Sequence, residues 1–509
     1  MPATQATPRR VALAVVAGAL HGCCFPPVGA WLLAFVAVAP LVVAVRGVRG
    51  RTGAMLGWLA GTVAASIATT PWIAAATRQY FDQGAVSAVL FASLVGQVFH
   101  ALPSAVFGAA LVRIGRLSGA SMRVLGAASC WTALELVRSR ALTGAPWDLL
   151  GHALYAQPLW IQGADLGGVF LVSFMCAAAG AAFGEVWCVG WRSARAGVVT
   201  AAVLVASLGV YGGVRLATED DAGERIAVAL VQGNVPNAWR ADPAHADAAL
   251  DAFAEATRRV LPQRPALVVW PENAVSFVLE PSSHIRDALA ALLGPDGPPL
   301  LLGAPRFAQS EPGRVQFFNS AWLVGADGVS QAVYDKRRLV PFAEYAPVPR
   351  VPGLGWRFDA PGDYTPGTVP VIFPTPAPFG VLICYEAIYP RLARDLAARG
   401  ARFLVNVSND AWFGTSAGLE QHLATTVFRS VETRRALARA TNTGVTALIG
   451  PSGRIRARFP PDERDAWVVD VPLRDGATPY MRFGDVVGVL ALIAALAAVG
   501  FAPPLRQKA

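Results

Sequence analysis

Three short segments each put a polar side chain at or just past the end of an apolar run, which is where α/β folds place their sites. The run Leu267-Val268-Val269-Trp270-Pro271 leads to Glu272, a carboxylate suited to general-base work. Tyr334-Asp335-Lys336-Arg337-Arg338 offers Lys336, a cation that could stabilise an oxyanion, and Glu344 follows eight residues later. Gly380-Val381-Leu382-Ile383 ends on Cys384, followed by Tyr385 and Glu386. A thiol at such a turn is a nucleophile if a base lowers its proton affinity. Taken singly, each has a plainer reading: a solvated loop carboxylate, an exposed basic turn, a buried inert cysteine. Taken together and in this order, they make a base, a cation and a nucleophile.

The elements that must carry them lie in one stretch, from about 225 to 474. Short apolar runs there read as strands at 226–232, 266–271, 300–303, 321–324, 380–384, 403–407, 445–449 and 467–471. Amphipathic stretches near 243–260, 284–293, 389–399 and 418–437 read as helices. Strands alternating with helices imply an α/β layered domain.

The rest of the chain is different. The 509 residues exceed one ordinary domain, and 54% are hydrophobic against 15% charged. A spanning helix needs roughly 20 mostly apolar residues. On that scale candidates lie near 11–25, 28–45, 53–73, 85–112, 121–138, 165–189 and 197–214, with an eighth at 486–503. This divides the chain into a seven-span region (1–215), the α/β domain (225–474), a last transmembrane helix (484–503) and a tail (504–509). Arg9, Arg10, Arg46, Arg49, Arg51, Arg113, Arg116, Arg123, Arg192, Arg195, Arg506 and Lys508 all fall on one side with eight spans, the cytoplasmic side. Arg78 and Arg140 are exceptions. The α/β insert then lies outside, on the periplasmic face of an inner membrane. A twin-arginine export signal is the alternative for Arg9-Arg10, but no convincing cleavage site follows.

The net charge of +9 is thus accounted for by topology, and no basic stripe suggests nucleic acid. Of six cysteines, only Cys384 lies in the polar half, so no disulfide forms within that half. No Cys/His cluster has metal-ligand spacing, and the expectation is no metal and no cofactor. Glu135 and Arg138 sit in or beside an apolar run at a spacing that shares one helix face. They read as a structural pair or as a lipid-headgroup contact.

The ordered Glu272, Lys336 and Cys384 resemble the nitrilase (carbon–nitrogen hydrolase) superfamily. That resemblance implies an αββα sandwich and continues through Val407-Ser408-Asn409-Asp410-Ala411-Trp412-Phe413-Gly414. With eight spans around the domain, the chain resembles more closely the bacterial apolipoprotein N-acyltransferases. Gln232-Gly233-Asn234-Val235-Pro236 with Trp239, the stretch from Val340 to Pro347, Gln421-His422, Asn442-Thr443-Gly444 and the stretch from Thr478 to Asp485 carry this likeness, as do Thr143-Gly144 and Pro146-Trp147. Arg338 stands where many members carry His, and Ala343 where Gly is common.

The resemblance implies acyl transfer from a glycerophospholipid, typically phosphatidylethanolamine, to the α-amino group of a lipoprotein's diacylglyceryl-cysteine. It proceeds through a thioester on Cys384, with Glu272 as base and Lys336 facing the oxyanion. Glu344, Tyr385 and Glu386 are expected to support the site. Trp147, Trp239, Asn409, Trp412 and Phe413 are candidates to touch the lipid, with ordinary packing as the rival role. A membrane-tethered amidase acting on a small amide would use the same triad, and a transporter or inert scaffold would not need it.

Overall fold

The computed structural model describes residues 3–80, 83–219, 223–236, 245–275, 283–311, 314–347 and 364–503. The chain forms two compact units. One comprises Met1–Thr218, Thr415–Phe428 and Phe483–Ala509; the other comprises Glu219–Gly414 and Arg429–Arg482.

The second unit holds two six-stranded sheets. In the first, β1 (Arg225–Gln232), β2 (Leu267–Val269) and β3 (Leu300–Glu311) run parallel. β4 (Arg314–Val324) and β5 (Ser330–Asp335) extend it antiparallel beyond β3, and β12 (Asp465–Pro472) closes the other edge. The second sheet repeats the plan. β7 (Phe379–Ile383), β8 (Phe403–Ser408) and β9 (Leu437–Thr441) are parallel. β6 (Ile372–Phe373) lies outside β7, and β10 (Ala447–Ile449) and β11 (Ile455–Arg458) lie beyond β9. Parallel strands covered on both faces read as continuous apolar runs, and β2, β7, β8 and β9 are buried at every position.

The inner faces meet in one core: Val228, Leu230, Leu267, Val269 and Leu301 from the first sheet join Phe379, Val381, Ile383, Phe403 and Val405 from the second. The outer face of the first sheet is covered by Ala246–Val260 and Ser283–Leu293. There Phe253 stacks on Trp270 at 5.2 Å, and Trp270 Nε1 donates to Thr257 Oγ1 at 2.9 Å. The helix Pro390–Ala398 presses on the second sheet, so close at Gly380 that a Cβ there would meet Leu396 Cβ at 2.7 Å. These layers are the expected αββα sandwich.

One helix differs from expectation. The amphipathic stretch read over 418–437 ends at Thr433. Arg434 takes the left-handed conformation (φ 52°), and Leu437–Thr441 pairs in register with β8 as β9. Ala and Arg favour helix intrinsically; tertiary pairing overrides that preference here.

In the first unit, helices span Ala3–Cys23, Gly50–Ala68, Thr70–Tyr80, Ala85–Gly96, Leu102–Ile114, Ala120–Arg138 and Val486–Gly500. Glycines let several of these touch backbone to backbone, the usual solution where lipid gives no hydrophobic drive. A Cβ at Gly57 would lie 2.0 Å from Ser104 O, and one at Gly108 would lie 2.2 Å from Gly53 O. The apolar stretch Ala164–Ala217 breaks at Gly190 (φ 76°). It folds back there, because Asp165 near its start accepts from Tyr211 (2.8 Å) and pairs with Arg215 (3.2 Å) near its end.

Among the described residues, Ala85–Ile114 and Ala164–Ala217 are long and apolar enough to cross a membrane. Gly50–Ala68 with Thr70–Gln79, bent by 50°, would be a third. The span read at 28–45 is two short pieces, Trp31–Phe35 and Ala39–Ala44, rather than one helix. Glu135 and Arg138 hold different partners. Glu135 Oε1 accepts from Trp131 Nε1 (2.8 Å) and Leu150 N (2.7 Å), while Arg138 donates to the carbonyls of Phe99, Trp147 and Asp148.

Candidate active site

The first sheet delivers Glu272. Three residues beyond β2 the chain turns, with Asn273 at φ 49°, directly over Gly303 of β3. A Cβ on Gly303 would stand 2.6 Å from Glu272 Cα, so only glycine lets the turn settle there. Glu272 Oε1 accepts from Lys336 Nζ at 3.0 Å and from Asn319 Nδ2 at 2.8 Å. Its Oε2 accepts from the Asn409 backbone N–H at 2.9 Å.

Lys336 follows β5 directly and is 1% exposed. Its ammonium also donates to Glu344 Oε1 at 2.9 Å. Glu344 is held in turn by Asn319 Nδ2 (2.8 Å) and the Val340 N–H (2.7 Å). One buried ammonium and one amide therefore sit between two carboxylates. Burial works against the ammonium, but Glu272 and Glu344 outweigh it and keep Lys336 protonated well above the usual lysine range. Glu272 is pushed up by burial and pulled down further by Lys336 and its three hydrogen bonds, so it ends below the ordinary 4.5.

The second sheet delivers Cys384, immediately after β7 and at the first position of a short 3₁₀ turn, Cys384–Ile388. Its φ of 49° is unusual for a residue with a Cβ, and such strain gathers at functional turns. The thiol is 3% exposed. Burial, then the Glu272 charge, raises it well above the usual thiol range, against the opposing pull of Lys336 and a Ser408 hydrogen bond. The resting site is thus a neutral thiol facing a carboxylate–ammonium pair.

Glu386 does a different job from the one its proximity to Cys384 suggests. It accepts from Ile383 N (2.9 Å), Arg337 N (2.7 Å), Arg338 N (3.1 Å) and Tyr334 OH (2.8 Å). It ties the turn carrying Cys384 to the segment carrying Lys336, across the two sheets. Asn409 contributes its backbone N–H to Glu272. Trp412 and Tyr385 pack, partly buried, on the core that includes Cys384, and Phe413 is 3% exposed with its ring 5.1 Å from Trp412. Trp147 belongs to the first unit, where it donates to Gln421 Oε1 at 2.8 Å and stacks on His422 at 5.7 Å. Gln421 also donates to the carbonyls of Pro26 and Ala68. Trp239 lies outside the described residues.

Three residues escaped the sequence reading as site residues. Asn319 is an amide in the strand β4, 1% exposed; a polar residue in the run Phe317-Phe318-Asn319-Ser320-Ala321 was the available signal. Asp410 and Arg439, both fully buried, form an ion pair, with Ser408 Oγ donating to Asp410 Oδ1 at 2.7 Å. The signal there was an arginine inside the buried run Leu437-Ala438-Arg439-Ala440. Among the described residues no cluster of His, Cys, Asp and Glu is arranged to hold a metal.

Residues 227–478 match the carbon-nitrogen hydrolase family, and residues 17–182 match the apolipoprotein N-acyltransferase N-terminal domain. An apolipoprotein N-acyltransferase of Geobacter metallireducens is 33% identical over 513 residues, covering 98% of this chain and 97% of its own. One from Pseudomonas aeruginosa is 34% identical over 504 residues, covering 95% of each chain. The chain belongs to the apolipoprotein N-acyltransferase family. Its α/β unit is a nitrilase-type domain. Among solved structures, an amidase from Nesterenkonia sp. is 22% identical, with a TM-score of 0.37, covering 49% of this chain and 91% of its own.

Proposed function

We propose that the enzyme transfers an acyl chain from a phospholipid of the phosphatidylethanolamine class to the free α-amino group of a lipoprotein's N-terminal diacylglyceryl-cysteine. The observation that carries this is the meeting of Cys384 with the Glu272–Lys336–Glu344 cluster, in a chain related over nearly its whole length to apolipoprotein N-acyltransferases.

In the first half-reaction Glu272 takes the thiol proton as Sγ attacks the ester carbonyl. Lys336 faces the oxyanion, a contact whose loss typically lowers the rate by about 10²–10³. The C–O bond breaks, the proton on Glu272 goes to the leaving lysophospholipid oxygen, and a thioester remains on Cys384. In the second, the amine attacks the thioester and Glu272 accepts its proton. The C–S bond breaks, an amide forms, and the proton returns to sulfur. Two half-reactions on one nucleophile give ping-pong kinetics.

The proposed domain boundaries are 1–215, 225–474, 484–503 and 504–509. Eight membrane passes, with the α/β domain on the periplasmic face of the inner membrane, fit the arginine distribution. A 54-residue apolar stretch such as Ala164–Ala217 would measure about 81 Å as one rod, far beyond a hydrocarbon core of about 30 Å. Two passes reversing at Gly190 suit that length. Embedding keeps the enzyme in the bilayer with both lipid substrates, since exposing acyl chain to water costs about 0.8 kcal/mol per CH₂.

The test is intact-mass analysis of purified protein after incubation with phosphatidylethanolamine, beside Cys384→Ser. The expected result is one added acyl chain on the wild type alone, removed by a diacylated lipopeptide with a free amine. No adduct on folded protein, with ammonia released from small amides, would establish the tethered amidase instead.

A further inference from the structure

Apart from the active site, the first unit contains a cavity of about 230 Å³ whose lining combines apolar walls with a concentration of charge. Val42 and Val112 form part of the walls, and Arg46, Arg116, Arg123 and Glu185 supply the charge. The volume far exceeds the roughly 10–15 Å³ needed for one ordered water. Three features of the charge arrangement are informative.

First, Arg123 is drawn inward and Arg46 reaches to the same buried carboxylate. A topological signal needs arginines only at helix ends in water. Here Arg123 is 10% exposed and Glu185 3% exposed at the side chain. Arg46 Nη1 lies 3.0 Å from Glu185 Oε1, and Arg123 Nε and Nη2 both lie 2.8 Å from Glu185 Oε2.

Second, the charges do not balance. Three cations line the cavity against one carboxylate, a surplus of two positive charges, and Glu185 is the one acid in the lining. Arg10 reinforces this end by donating to the carbonyls of Ala44 (2.7 Å) and Arg46 (2.8 Å). A half-buried cation without a counter-charge is costly, and both oxygens of Glu185 are already engaged.

Third, donors remain. A guanidinium carries five N–H groups in a fork that matches phosphate oxygens. Arg46 gives one bond to Glu185, and Arg116 gives one weak bond, 3.4 Å, to the Pro503 carbonyl. Gly115 packs beside Arg46, where a Cβ would meet Nη1 at 3.4 Å.

We propose that this cavity is a phosphate-binding site, in which Arg46, Arg116 and Arg123 hold the phosphate of an anionic phospholipid headgroup or free phosphate, with Glu185 fixing two of the three guanidinium groups. The site is separate from the acyl-transfer chemistry and does not depend on it. Occupancy neutralises the surplus charge at the arginine-rich ends of four packed helical segments and so stabilises the first unit.

The experiment uses the full-length protein in detergent, with phosphatidylglycerol and inorganic phosphate as probes, read by native mass spectrometry and by Tm. Arg46→Gln/Arg116→Gln removes two charges and keeps Glu185 paired with Arg123. Arg116→Lys keeps the charge. The lipid-free Tm of each variant reports whether it folds, and Arg116→Gln alone alters one side chain with a single weak bond, so it serves if the double variant does not fold. The expected result is one phosphatidylglycerol retained per wild-type chain and a raised Tm. Retention should fall about tenfold or more in the double variant, in keeping with lost hydrogen bonds to charged groups, and persist in Arg116→Lys. Displacement by millimolar inorganic phosphate, which then raises Tm by itself, identifies free phosphate as the occupant. Displacement by added lipid only identifies the headgroup. Equal retention by wild type and the charge-removed variants, or no binding of either probe by the wild type, overturns the proposal.

Discussion

Replacing Lys336 by methionine separates what this ammonium does for the fold from what it does for the reaction. The side chain is 1% exposed and stands 3.0 Å from Glu272 and 2.9 Å from Glu344. Methionine keeps the apolar length but leaves two buried carboxylates sharing the Asn319 amide with no cation. Removing one partner of a buried pair costs about 3–5 kcal/mol. In a domain of this size, each kcal/mol is worth roughly 2–4 °C in Tm. Lys336→Met is therefore expected to melt about 6–20 °C below wild type by the product of those ranges. Adding Glu344→Gln removes one of the stranded charges and should restore a large part of that loss. It should not restore acyl transfer, which stays down by at least about 10²–10³ because the oxyanion has lost its cation. The assay pair is thermal melting in detergent and release of lysophospholipid from phosphatidylethanolamine. The reasoning fails if Lys336→Met melts with the wild type, or if the double variant transfers acyl chains within tenfold of it.

Gly303→Ala should lower kcat by about 10² and lower Tm with it, because a Cβ 2.5–2.6 Å from three backbone atoms of the Glu272 turn forces that turn to move and a misplacement of about 1 Å costs that much in rate; wild-type turnover at the wild-type Tm would refute the close approach of the Glu272 turn. Asp410→Asn should destabilise the α/β unit by about 3–5 kcal/mol by leaving Arg439 buried without its carboxylate, read as a drop in Tm. The pH dependence has a defined sign. Glu272 sits below its ordinary 4.5, so its stabilising ionised form is complete above that value and is lost as pH falls through the lowered one. Activity and Tm should hold from neutral pH down to about 4.5 and fall below it as far as Glu272 governs them; an acid limb of kcat/KM near 6–7 would refute this. Because Cys384 rests as a thiol, alkylation by iodoacetamide at pH 7 should be slow, and rapid labelling would show a preformed thiolate.

The α/β unit was legible because its strands are short apolar runs ended by functional residues. The β1, β2, β7 and β8 readings depend on burial at successive positions, which composition reveals directly. β9 was not legible. Leu437-Ala438-Arg439-Ala440-Thr441 has the local preferences of a helix, and only pairing with β8 and the buried Asp410 partner make it a strand. The stretch 28–45 shows the reverse limit: it is apolar enough for a span, yet forms two short pieces.

The sequence by itself determined which residue types are available for chemistry. A carboxylate, an amine and a thiol each follow an apolar run, and local spacing carries that information. It also determined that the N-terminal half is apolar enough for a membrane, because hydropathy needs no partner. The tertiary structure decided what each group faces. Glu272 comes from one sheet and Cys384 from the other, and 112 positions separate them in the chain. Only tertiary packing brings Asn319 between two carboxylates, sets Glu386 across the Lys336 and Cys384 segments, and pairs Arg439 with Asp410. Protonation states depend on such neighbours and on burial, which are properties of the assembled layers and not of any segment.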